Sequence, residues 1–269
     1  MFLQLSGGGR LWYEQSREEP KLLFLGGLGM SSLGWRGVLG ALSKPWGTLC
    51  VDFPGSGKSD LPAKELSMAS LANLVVELLD FCGISRISPV GLSMGGFVAL
   101  EMARSFPERV EKLVLINSAS RLEGRGREQL ALWEDLRRIG CPPELILRQQ
   151  LLSTLSAAFF ALPQRMEQSL VFFRRYQEEL WQKDAGFYPQ ARACREFDFR
   201  DKAREIAAPA LLVSGREDCM IPPESMAKLK ESLPKSTLRI LPGGHALHVE
   251  QAPEIARSLE DFFADAEEA

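Results

Sequence analysis

The 269-residue chain predicts an α/β fold. The expected architecture is a mostly parallel sheet of about eight strands with helices on both faces, plus an inserted helical cap. Three observations lead there. Short apolar runs recur along the chain, each bounded by turn residues and free of strict alternation, the pattern of strands buried on both faces. Helical spacing patterns lie between the runs, as parallel crossovers require. Between Arg121 and Glu205 this rhythm stops and helical patterns take over. The chain therefore divides into a core, residues 1–120 and 206–269, and a helical insertion, residues 121–205.

The first elements are Phe2 to Leu5 and Arg10 to Gln15, which flank Gly7-Gly8-Gly9 and read as a hairpin. The next runs are Leu22 to Leu25, Thr48 to Val51, Ile87 to Val90 and Leu113 to Ile116, with Ala210 to Val213 and Thr237 to Leu241 late in the chain. Pro89 inside one run is an objection, because proline donates nothing to a sheet ladder. Ser67 to Cys82 spaces Leu71, Leu74, Val75, Leu78 and Leu79 as one face of a helix. Met94 to Ser105 is a second helix, and Pro253 to Phe263 a third with proline at its first position.

Composition narrows the class. Hydrophobic residues make up 45% and charged residues 25%, which excludes a disordered chain or a fibre. Net charge is −3, from 32 basic and 35 acidic residues, and gives no footprint for nucleic acid. The five cysteines are odd in number and contain no CxxC pair, which argues against a zinc site or a disulfide framework. No metal or cofactor is expected. The first residues lack a basic region followed by an apolar stretch. The least charged run, Ile87 to Leu100, is too interrupted to span a membrane. A cytoplasmic protein with no membrane contact is the expectation.

Gly91-Leu92-Ser93-Met94-Gly95 fits G-x-S-x-G, directly after a strand and directly before a helix. That context gives the motif its meaning. A serine on a tight strand-to-helix turn is lifted clear of the sheet, and the small residues Gly91, Gly95 and Gly96 let the elements approach. The turn also aims the backbone N–H of Met94, at a helix N-terminus, at developing negative charge. A serine needs a base, and the chain has two histidines, His245 and His248. Gly243-Gly244 permits a sharp loop after the last strand that can return His245 over the sheet's carboxyl edge.

These residues resemble the α/β-hydrolase superfamily over nearly the whole chain, most closely its enol-lactonase and pimeloyl-carrier methyl esterase groups. Asp52-Phe53-Pro54-Gly55-Ser56-Gly57-Lys58-Ser59 is similar to that family's D-x-P-G-x-G-x-S segment. A phosphate loop is the rival reading of Gly57-Lys58-Ser59, but Asp52 stands where its first glycine belongs. The resemblance selects His245 as base, through Gly244-His245 and Val249-Glu250-Gln251-Ala252-Pro253, with His248 the alternative. It places Asp218 as the orienting acid, with Glu217 as the neighbour that could be confused with it. Some relatives carry the acid after an earlier strand, where this chain has Asn117, which cannot serve as a carboxylate. Leu25-Gly26-Gly27-Leu28-Gly29 resembles the family's H-G-x-G loop, which implies that the N–H of Leu28 joins that of Met94 in an oxyanion hole. Gly26 replaces the usual histidine and puts the loop's rigidity in question. A dinucleotide fingerprint starting at Gly27 fails at Ser32.

The segment from Arg121 to Glu205 resembles the helical cap that roofs the active site in this superfamily. Met166, Leu170, Phe173 and Leu180 form a stripe at helical spacing, read mainly as packing between cap helices, and a few aromatics are expected to line an apolar acyl pocket. The segment holds 13 arginines against two lysines and 13 acidic residues. Solvated surface accounts for the arginines first; an acidic acyl carrier protein is the alternative partner. The function implied is a carboxylic ester hydrolase acting on a small-molecule ester through Ser93, His245 and Asp218. An enol-lactone or carbon–carbon bond hydrolase is the alternative with the same residues. A ligand-sensing binding protein on the same fold is the alternative of another class.

Overall fold

The computed structural model describes residues 1–162, 164–175 and 184–264. The eight strands are β1 (Phe2–Gln4), β2 (Arg10–Gln15), β3 (Leu22–Leu25), β4 (Thr48–Asp52), β5 (Ser88–Leu92), β6 (Leu113–Ile116), β7 (Ala210–Gly215) and β8 (Ser236–Leu241). They form one sheet in the order β1-β2-β4-β3-β5-β6-β7-β8. β1 and β2 pair antiparallel, and β2 runs antiparallel to β4. All later neighbours are parallel.

The apolar runs are buried on both faces because alternate residues supply two separate cores. Leu23, Leu25, Leu49, Val51, Leu113, Leu115 and Leu212 point to one side. There they meet α2 (Met68–Phe81), α3 (Met94–Ser105) and α9 (Pro223–Ser232). Leu22, Phe24, Cys50, Val90, Val114, Ile116 and Val213 point to the other, against α1 (Arg36–Ala41) and, after the short α10 (Leu247–Glu250), α11 (Ala252–Ala264). β8 departs from the expectation of full burial. It is the sheet edge, and Thr237, Arg239 and Ile240 are exposed.

Pro89 is accommodated by a slip in register. Ile87 bridges Val110, but Val90 pairs Val114, so one residue more lies on the β6 side. The ladder to β6 is interrupted where the missing N–H would have donated, and pairing with β3 continues through Leu23. The α2 helix starts on a capping box in which Ser67 and Ser70 exchange side-chain-to-backbone bonds. β5 continues to Leu92, two residues past the expected end, and delivers Ser93 at the carboxyl edge of the sheet.

Between β6 and β7 the chain forms α4 (Gly124–Arg138), α5 (Pro143–Thr154), α6 (Ala157–Phe160), α7 (Gln164–Arg175) and α8 (Asp184–Glu196). A third core of Leu147, Leu151, Leu155, Phe159 and Leu170 holds α5, α6 and α7 together, with Met166 packed against it. The expected stripe is thus seen at Met166 and Leu170, while Leu180 and the side chain of Phe173 lie outside the described residues. No helix among the described residues is long and apolar enough to cross a membrane.

Candidate active site

Ser93 sits between β5 and α3 with φ 52° and ψ −115°, a left-handed conformation that side chains avoid. The strain holds because the surroundings leave no alternative. A Cβ on Gly95 would collide with the carbonyl oxygen of Leu25 and lie 2.7 Å from that of Gly26. α3 therefore starts directly on the β3 backbone. The Ser118 hydroxyl donates to the Ser93 carbonyl at 3.0 Å and closes the elbow from the β6 side.

Three side chains from three loops converge here. His245 Nε2 lies 3.0 Å from Ser93 Oγ, and His245 Nδ1 lies 2.8 Å from Asp218 Oδ2. A carboxylate only accepts, so Nδ1–H donates to Asp218 and Nε2 is left to accept the serine proton. The other carboxylate oxygen of Asp218 accepts the N–H groups of Met220 at 2.8 Å and Ile221 at 2.9 Å. Asp218 is 4% exposed and is thereby fixed at both oxygens.

The neighbours that could have taken these places are elsewhere. Glu217 accepts the N–H of Ala157 at the start of α6 at 3.0 Å, rather than pairing with Arg216. His248 stacks at an angle on Trp35, with ring centres 5.9 Å apart, and borders the cavity without meeting Ser93. Burial, reinforced by the nearby His245, lowers its pKa to about 4, so it is neutral at pH 7.

The Gly26–Gly29 loop lies directly beside Ser93. A Cβ on Gly27 would stand 3.5 Å from that of Ser93. The loop turns through a Met30 N–H bond to the Gly27 carbonyl at 3.0 Å. Among the described residues the N–H groups of Leu28 and Met94 have no other acceptor. Met94 is the first residue of α3, so its N–H has no partner within the helix.

Two residues that the sequence left without a role organise the loops. Asn117, itself at φ 45°, accepts the N–H of Gly215 at 2.7 Å and donates to the carbonyls of Gly244 at 2.9 Å and His245 at 2.8 Å. One buried amide thus joins the loops after β6, β7 and β8. Glu250 accepts the Gly244 N–H at 2.7 Å and the Ser156 N–H at 3.2 Å, and so ties the histidine loop to α6. In the sequence Asn117 stands out only for the carboxylate it lacks, and Glu250 only as part of the histidine-loop motif. For Asn117 a polar residue directly after a buried strand is the available signal; Glu250, at the end of a short helix, carries none.

Above Ser93 opens a cavity of about 820 Å³. Phe97, Leu122, Leu130, Trp133, Met220 and Ile221 line it, together with the polar Arg137, Gln150 and Gln168. The buried thiol of Cys194 also borders it, with its pKa pushed up to about 12 by burial. No cluster of metal-binding side chains occurs among the described residues.

Comparison with known proteins gives the family. The chain is 30% identical over 256 residues to "Putative carbamate hydrolase RutD" of Pseudomonas savastanoi, covering 92% of this chain and 95% of that one. It is 26% identical over 244 residues to "3-oxoadipate enol-lactonase 2" of Acinetobacter baylyi, covering 90% and 88%. Among solved structures, a hydrolase from Pseudomonas aeruginosa superimposes with a TM-score of 0.85 at 26% identity, covering 98% and 97% of the two chains. The sequence pattern of the alpha/beta hydrolase fold matches residues 20–252. The chain belongs to the alpha/beta hydrolase fold family.

Proposed function

We propose that the protein is a serine hydrolase of carboxylic esters that works through an acyl-enzyme. The observation that carries this reading is the continuous relay from Asp218 through His245 to a strained, lifted Ser93 hydroxyl. His245 Nε2 takes the Ser93 proton as Oγ attacks the ester carbonyl. Asp218 holds the tautomer that makes this possible and stabilises the imidazolium. The N–H groups of Leu28 and Met94 receive the oxyanion. Collapse expels the alcohol, which takes its proton from His245. Water then repeats the sequence and releases the acid.

The cavity supports an apolar acyl or alkoxy group of some size, far larger than the few atoms of a carbamate. We read residues 121–205 as the cap that shapes it. Many arginines of that segment already meet carboxylates, among them Arg138 with Asp135, Arg148 with Glu144 and Arg200 with Asp198, which favours solvated surface over a carrier protein. All five cysteines are unpaired, which suits the cytoplasm. A lactone is a second substrate class, favoured by the enol-lactonase among the relatives. The same relay opens a cyclic ester.

The test is a series of p-nitrophenyl esters of increasing acyl length, run beside an enol-lactone and a simple carbamate. A burst of p-nitrophenol stoichiometric with enzyme, with kcat/KM rising with chain length, is expected. No turnover of any ester, or a preference for the carbamate, overturns the reading.

A further inference from the structure

The oxyanion loop lacks the histidine expected at Gly26, yet it is not left loose. Helix α8, which belongs to the segment between β6 and β7, reaches down to it through one fully buried side chain. Gln190 Oε1 accepts the N–H of Gly29 at 3.0 Å. Its Nε2 donates to the Pro54 carbonyl at 2.8 Å and to Ser56 Oγ at 2.8 Å. The amide thus joins the residue next to the Leu28 donor to the loop after β4.

That second loop is itself rigid. Asp52 Oδ1 accepts the Ser32 N–H and Oδ2 accepts the Lys58 N–H, at 2.6 and 2.9 Å. The Ser59 hydroxyl donates to the Asp52 carbonyl at 2.5 Å. The D-x-P-G-x-G-x-S segment therefore serves as a platform. α8 seats on it backbone to backbone. A Cβ on Gly55 would lie 2.7 Å from Gly186 Cα, and one on Gly186 would lie 2.6 Å from Gly55 Cα. No side chain fits between, so the height of Gln190 above the loop is set by this pair.

We infer that Gln190 is a positioning residue for the oxyanion hole, and that it couples the seating of α8 on the Asp52–Ser59 platform to the aim of the Leu28 N–H. The inference rests on the reading of Ser93, Leu28 and Met94 given above. The plane that carries the Leu28 N–H joins the latched plane at the Leu28 Cα, so holding Gly29 removes the freedom of the following plane and leaves fewer soft dihedrals to turn the Leu28 donor. Releasing Gly29 lets the Leu28 donor wander from the point where negative charge develops. Removing one oxyanion donor outright costs about 10²–10³ in turnover. A donor that is displaced but still present costs less, and about tenfold is expected.

The experiment compares wild type with Gln190→Met, which keeps the length but loses the bonds to Gly29, Pro54 and Ser56, and Gln190→Glu, which keeps the acceptor for Gly29. Steady-state kinetics on a p-nitrophenyl ester and amide hydrogen exchange at Gly29 are measured on each folded protein. Gln190→Met should lower kcat about tenfold with KM within twofold, and Gly29 should exchange at least about tenfold faster. Gln190→Glu should recover most of kcat. If Gln190→Met fails to fold, Gly186→Ala carries the same test, because its methyl group lifts α8 from Gly55 and takes Gln190 from Gly29. A merely structural role predicts a lower Tm with kcat unchanged. Thus kcat within twofold of wild type, or faster Gly29 exchange without loss of kcat, overturns the inference and leaves the reading of the site intact. A wild-type protein that neither hydrolyses the ester nor acylates at Ser93 overturns that reading instead, and the inference with it.

Discussion

At the carboxyl edge of β5 the chain brings backbone against backbone: Gly95 meets Leu25 and Gly26 with no side chain between them. Above the cavity, α5, α6 and α7 meet through Leu147, Leu151, Leu155, Phe159 and Leu170. The floor has no room for variation at the atoms that would react. The roof is built from side chains whose size can change without moving the floor. On the proposed reading, chemistry is carried by the floor and selectivity by the roof, with Gln190 of α8 the link between them, and mutations in the two should fail in different ways.

The largest effect is expected from the floor. Ser93→Ala should cost on the order of 10⁶ in turnover, with the fold and Tm preserved. Activity within tenfold of wild type in a clean preparation would remove Ser93 from its role. Asp218→Asn should cost about 10⁴, because the imidazole is then held in the wrong tautomer. Glu217→Gln, which only loosens the bond to the Ala157 N–H, should be mild in the same assay. A reversed order would mean that the acid is wrongly assigned.

Gly95→Ala tests the floor's packing, with an expected loss of about 2–3 kcal/mol of stability by urea unfolding, since the methyl group has only backbone to displace. Trp133→Ala tests the cavity wall supplied by α4, the first helix of the segment that carries the roof. It should lower kcat/KM for long acyl esters about tenfold and leave acetyl ester turnover near wild type. Equal losses on both esters would contradict the separation of floor and roof.

The smallest effect concerns His248. Its folded pKa, about 4, lies below the ordinary 6.5. Between these values the unfolded chain binds a proton that the folded protein does not, so stability falls as pH drops from 6.5 to 4 and is unaffected above. In His248→Phe the fall in Tm over that window should be shallower, by calorimetry, while turnover at pH 7 remains substantial. A slope unchanged by the substitution would show that His248 titrates normally.

The floor was legible in the sequence because its requirements are local. Two glycines two residues to either side of a serine, between a strand and a helix, leave few other structures; the choice of His245 and Asp218 is what the family resemblance implies, and the fold brings both side chains to Ser93. What was not legible depends on distant contacts. The α1 helix, Arg36-Gly37-Val38-Leu39-Gly40-Ala41, carries two glycines and no cap. It exists because Gly37 lets Ala252 approach to 3.3 Å of its would-be Cβ. Asn117, Glu250 and Gln190 act across separations of 98, 94 and 161 residues, which no short motif encodes.

The most direct measurement is covalent labelling of the wild-type protein with an alkyl fluorophosphonate, followed by peptide mapping, beside His245→Ala and His248→Ala. The account predicts one phosphonyl group on the Ser93 peptide in wild type and His248→Ala, formed at similar rates, and none on the same timescale in His245→Ala. Label on another residue, or rapid labelling of His245→Ala with none in His248→Ala, would contradict it.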